Sequence, residues 1–146
     1  MAYRAMQAPK LNCRLIKAKD IAHILCADQT SSANYPKLLI VPGGNARLKA
    51  LALGKSGLKI IREFVKKGGI YLGFCGGAGL ALNHQDLNKG LNLCPWERKP
   101  YLDRLQHLAS GHVLAKITTN PLCPKHLHNQ NIALPVWWPG RFLPNP

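Results

Sequence analysis

The sequence predicts an α/β fold on a mostly parallel sheet, and three stretches carry that expectation. Residues 38–41 (LLIV) are an all-apolar run that stops at Pro42-Gly43-Gly44. Such a run suits a strand buried on both faces. Residues 57–67 place Leu58, Ile61, Phe64 and Val65 at helical spacing, with Lys59, Arg62, Lys66 and Lys67 turned to water. Residues 69–74 form a second mostly apolar run that enters Cys75-Gly76-Gly77-Ala78-Gly79. In a parallel sheet both glycine turns lie at the carboxyl ends of their strands, where open α/β sheets put their sites.

The remaining elements follow in order. Residues 1–10 lack periodicity and begin irregularly. Residues 12–18 (NCRLIKA) suit a strand, with Cys13, Leu15 and Ala18 offering alternate faces. Asp20 is placed to cap a short helix through Leu25, with Ile21, Ile24 and Leu25 on one side. Residues 29–36 are a polar turn cluster. Ser56 is a possible N-cap for the helix over 57–67, and Gly68 a suitable C-cap. A helix over 77–83 lies beneath the second glycine turn. Residues 87–100 read as loop. Residues 101–109 suit a short amphipathic helix, with Leu102, Leu105 and Leu108 or Ala109 on one side. Strands over 112–118 and 131–137 are joined by a proline-broken loop, and the tail over 139–146, with three prolines, reads as irregular.

At 146 residues and 47% hydrophobic the chain reads as one globular domain. Twenty Lys and Arg against six Asp and Glu give a formal charge of +14. A field of that size attracts anions without specificity. The basic residues are scattered, with no run of five and no aromatic–basic pattern, so a solvated basic surface is expected and a nucleic-acid partner is not. Five cysteines at irregular spacing, without a secretory leader, predict a reduced, cytoplasmic protein. No apolar run approaches the roughly 18 residues of a spanning helix, so no membrane association is expected.

The chemistry centres on Cys75. A strand, a sharp turn and a helix start put its thiol at the apex, where free N–H groups and the helix dipole favour a thiolate. Gly73 before it and Gly76 and Gly77 after it are what a strained elbow requires, since a Cβ there would meet neighbouring backbone. If the two strands are neighbours, the N–H groups of Gly44 and Gly76 can converge near the Cys75 sulfur as an oxyanion hole. A buried cysteine at an ordinary turn, and two unrelated glycine turns, are the plainer alternatives.

The pieces Val41-Pro42-Gly43-Gly44, Ile60…Phe64-Val65…Gly68-Gly69 and Tyr71-Leu72-Gly73-Phe74-Cys75-Gly76-Gly77-Ala78 resemble the class I glutamine-amidotransferase-like superfamily. Within it they are most similar to the domain at the amino terminus of eukaryotic biotin–protein ligases and its stand-alone bacterial relatives. The resemblance covers residues 36–83, with weaker support to 142 through PVWWPGRF at 135–142. It implies a flavodoxin-like three-layer α/β/α sandwich with a mostly parallel sheet and Cys75 in the nucleophile position. That family continues for several elements where this sequence ends, so the resemblance implies a single domain over 1–146 that is an incomplete sandwich. An incomplete sandwich exposes a strand edge and an apolar face, and self-association is expected of it.

A nucleophilic thiol needs a base. The superfamily supplies it from a His and a Glu two residues apart, late in the chain. Here the last acidic residue is Asp103 and the last histidines are His126 and His128. His84 is nine positions past Cys75, roughly 13 Å away along a helix. His112, then His107, are the remaining candidate bases, and a lost segment or a partner subunit is the other source. Cys123-x-x-His126-x-His128 lacks the second tight pair of a structural zinc site, so no metal is expected. The glycine turns miss both phosphate-loop templates, so no cofactor is expected. Trp96, Trp137 and Trp138 read as packing residues. Two readings stand: a cysteine-dependent amidotransferase or amide hydrolase acting on a small molecule of unspecified identity, and a non-catalytic regulatory or ligand-binding module of the same fold.

Overall fold

The computed structural model describes residues 12–25, 35–98, 110–119, 121, 124–137 and 142–143. The helix expected over 101–109 and the irregular start at 1–10 lie outside these residues. So do His107, Cys123, Trp138 and most of the polar cluster at 29–36. Two compact units are present, one of Met1–Arg98 with Phe142–Pro146 and one of Lys99–Arg141.

The first unit is an α/β assembly around a parallel pair. Strand β1 (Leu38–Val41) pairs with β2 (Ile70–Gly73), Leu38 opposite Ile70 and Val41 opposite Gly73. Ahead of them, a 3-10 turn (Ala18–Asp20) leads into the short helix α1 (Ile21–Ile24). Asp20 stands at its N-cap, but its carboxylate accepts from the Lys17 N–H at 3.3 Å and makes no cap bond. The strand expected over 12–18 does not form. Leu15 is 75% exposed, so its alternation meets no covered sheet face, and Ala18 already turns.

Helix α2 (Ala46–Lys66) joins the two strands. Its cap is Asn45, whose side chain accepts from the Leu48 N–H at 3.2 Å, and not Ser56, which lies inside the helix. Gly54 interrupts the helical dihedrals at φ 62°, a value that glycine reaches without a Cβ penalty. The second half therefore begins just ahead of the expected start at 57. It ends as expected: Gly68 N–H bonds to the Val65 carbonyl and Gly69 N–H to the Phe64 carbonyl. That double bond is the Schellman closure. Leu58, Ile61 and Phe64 are buried with Leu39, Leu80, Leu91, Ile21 and Leu25 in one core. Arg62 does not face water. It is half-buried and donates to the Leu87 and Gly90 carbonyls, both at 3.1 Å, tying the loop after the elbow to α2.

The two faces of the all-apolar β1 are unequally covered among the described residues. Leu39 is buried and Val41 and Tyr71 pack against the core. Leu38, Ile70 and Leu72, which alternate with these, are 42%, 60% and 40% exposed. Helix α3 (Gly76–Ala81) follows β2. The loop after it is stitched back by Leu91 N–H to the Leu80 carbonyl, 2.8 Å, and Leu93 N–H to the Ala81 carbonyl, 2.9 Å. Two-residue strands β3 (Glu97–Arg98) and β6 (Phe142–Leu143) pair antiparallel, so the tail is not wholly irregular.

The second unit carries an antiparallel ladder of β4 (Ser110–Lys116) and β5 (Asn131–Trp137), as expected for those two segments. No helix among the described residues is long and apolar enough to cross a membrane.

Candidate functional site at the glycine elbow

Cys75 adopts φ 48° and ψ −110° between β2 and α3, a backbone state that costs a non-glycine residue about 1–3 kcal/mol. Packing on both sides holds it there. Phe74 N–H donates to the Val41 carbonyl at 3.0 Å, Gly77 N–H to the Phe74 carbonyl at 2.7 Å, and Gly79 N–H to the Cys75 carbonyl at 2.9 Å. The thiol is free, and the residue is exposed at the N-cap position of α3. A buried cysteine is thereby excluded.

The two glycine turns meet. A Cβ on Gly43 would sit 3.3 Å from the Cys75 Cβ and 3.8 Å from its Sγ. A Cβ on Gly76 would land on the Gly44 carbonyl, and one on Gly77 on the Val41 carbonyl. Residues 76 and 77 are thus glycine because β1 and its turn occupy the space a side chain would need. Gly73, opposite Val41, abuts the Gly77 carbonyl in the same way. Among the described residues neither the Gly44 nor the Gly76 N–H donates to an acceptor.

Two further residues shape the site, and neither is singled out by the sequence patterns. The Tyr71 hydroxyl donates to the Gly77 carbonyl at 2.7 Å, pinning the elbow to β2. Burial pushes that hydroxyl well above the ordinary tyrosine range, so it stays a donor. The Lys49 ammonium lies 3.8 Å from the position a Gly44 Cβ would take, and among the described residues it has no ion-pair partner. The signal for Lys49 was available: an Asn45 cap places residue 49 one turn into the helix, back over Gly44. For Tyr71, strand alternation gives the face but not the reach of its hydroxyl to a carbonyl six residues on.

His84 Nδ1 accepts from the Asp86 N–H at 3.0 Å in the loop after α3. His112 is exposed on β4 of the second unit, opposite Pro135. His126 lies in a 3-10 turn (Lys125–Leu127) of that unit, and His128 just after it. Among the described residues Cys75 makes no side-chain hydrogen bond. No group of three His, Cys, Asp or Glu among them could hold a metal ion.

Comparison with known proteins adds one finding. No curated protein and no solved structure matches the chain. Residues 23–94, which span β1, α2, β2 and the whole elbow through α3, match the model of the family described as Biotin-protein ligase, N terminal.

Proposed function

We propose that this chain is a biotin–protein ligase N-terminal-like domain of the glutamine-amidotransferase-like superfamily, with Cys75 as a nucleophile toward an amide or related acyl carbon. The observation that carries this reading is an exposed thiol on a strained backbone, seated against Gly43 of a neighbouring turn. Strain of this kind persists where the surroundings over-determine it, and a nucleophile elbow is one such place. In the proposed step Sγ attacks the carbonyl carbon. The C–S bond forms as the C–N bond breaks, and the nitrogen leaves as ammonia with an added proton. Water then hydrolyses the thioester to the acid and regenerates the thiol. The unpaired N–H groups of Gly44 and Gly76 are the proposed donors to the oxyanion. The base is proposed to come from outside the described residues of the first unit or from a partner subunit.

A second reading has its own support. Cys75 has no hydrogen-bonded base among the described residues. That favours a regulatory or ligand-binding module in which the elbow thiol binds or senses.

Iodoacetamide labelling of the folded chain, read site by site by mass spectrometry, tests the shared premise. Cys75 is expected to label about tenfold faster than the half-buried Cys13 and Cys94. Equal rates would remove both readings. Ammonia release from glutamine separates them: release that Cys75→Ala abolishes supports the enzyme, and labelling without release supports the module.

A further inference from the structure

A charged side chain stands beside the glycine turns. Lys49 is half-buried one turn into α2, where its N–H donates to the Asn45 carbonyl at 3.1 Å. Its ammonium lies 3.8 Å from the position a Gly44 Cβ would take, and the Cys75 sulfur lies 3.8 Å from that of a Gly43 Cβ. Adjacent residues of one turn therefore have a thiol beside one and a cation beside the other. Successive Cα atoms are about 3.8 Å apart, so the sulfur and the ammonium are separated by no more than roughly 14 Å. The described carboxylates are engaged elsewhere. Asp20 accepts from the Lys17 N–H, Glu63 pairs with Lys66, Asp86 pairs with Lys89, and Glu97 accepts from the Asn83 side chain. Lys49 thus has no counter-charge among the described residues, and an ammonium stripped of part of its water favours an anion that can reach it.

We infer that Lys49 makes the elbow selective for an anionic acyl compound, a small amide carrying a carboxylate near the group that Cys75 attacks. The inference rests on Cys75 as the reacting thiol and adds the class of its substrate. Gly44 belongs to both halves of the argument. Its N–H has no acceptor among the described residues, and the ammonium stands over the same residue. Negative charge arriving at Gly44 therefore meets a hydrogen-bond donor and a cation together. The span between sulfur and ammonium suits a small molecule, with the acyl carbon at Sγ and its carboxylate a few bonds away. Lysine offers a point charge on a flexible stem and not a shaped fork, so it selects by sign of charge. Neutral and cationic amides gain nothing from it.

Paired alkylation of the full chain with anionic iodoacetate and neutral iodoacetamide, read at each cysteine by mass spectrometry, tests this. In both reactions the C–S bond forms as iodide leaves, so the ratio of the two rates at Cys75 reports only the charge preference. Lys49→Gln is expected to lower that ratio about two- to fivefold while the ratio at Cys94 stays unchanged. Lys49→Arg should keep it, and Lys67→Gln, which removes the same charge at the opposite end of α2, should leave it unaltered. An unchanged ratio in Lys49→Gln would overturn the inference, as would an equal fall in Lys67→Gln. A salt series on the unsubstituted protein gives the same information if a variant folds poorly. Added potassium chloride should slow iodoacetate more at Cys75 than at Cys94, and equal slowing would count against the inference. Fast iodoacetamide labelling of Cys75 with a flat charge preference removes this inference alone. Slow labelling by both reagents removes the reading of Cys75 on which it rests.

Discussion

The two faces of the β1–β2 pair are built from the same kinds of residue and meet opposite surroundings. Leu39 and Tyr71 look onto Leu58, Ile61 and Phe64 of α2, while Leu38, Ile70 and Leu72 meet solvent. Apolar character alone therefore does not report burial. What differs among the described residues is the cover: α2 lies on one face, whereas parallel sheets usually have a helix on each side. Stability of the first unit is expected to reside almost wholly in the covered face and in the elbow floor continuous with it.

The sharpest way to break that contrast is Gly76→Ala. Its methyl group would have to displace the Gly44 carbonyl, which is backbone and cannot rotate away. A loss above about 3 kcal/mol, or failure to fold, is expected in urea denaturation. Next comes Leu58→Ala, which empties a fully buried position and should cost about 2–5 kcal/mol in the same measurement. Its counterpart on the open face, Leu72→Thr, should change stability by no more than about 0.5 kcal/mol. Equal losses from the two leucines would show that the open face is covered in solution.

Tyr71→Phe gives a smaller effect than Leu58→Ala, and pH sharpens it. Losing one hydrogen bond should cost about 1 kcal/mol at neutral pH. The folded state holds the Tyr71 proton more tightly than the unfolded chain, whose tyrosine loses it near 10.0. Above that pH the unfolded state binds fewer protons, so the contribution is present below pH 10 and declines as pH rises. The difference between wild type and Tyr71→Phe in denaturation midpoints should therefore shrink above pH 10. A gap that stays constant would mean the hydroxyl is not held as described.

Much of the first unit was legible in the sequence because its signals are local. Glycine turns end the two strands, helical spacing marks 57–67, and the Gly68 closure formed as read. The first half of α2 was hidden because Gly54 splits one helix into two patterns, although Asn45 is a recognisable cap. The strand expected at 12–18 failed because alternation describes a half-buried strand only where a sheet exists to receive it. The β3–β6 pairing joins residues more than forty positions apart through two-residue strands, too short for any periodicity. LLIV suggested two covered faces because composition cannot count layers. The elbow itself was readable, since Cys75 framed by glycines admits few geometries. Its tether through Tyr71 depends on reach in three dimensions, whereas Lys49 follows from the Asn45 cap.

The contact between Gly76 and the Gly44 carbonyl makes residues 42–44 and 76–77 a single mutational unit. Bulk cannot be added at 76 or 77 without reshaping the turn that ends β1. Homologous chains should then vary these two short stretches in concert, and a graft of this elbow onto another scaffold must carry both loops together.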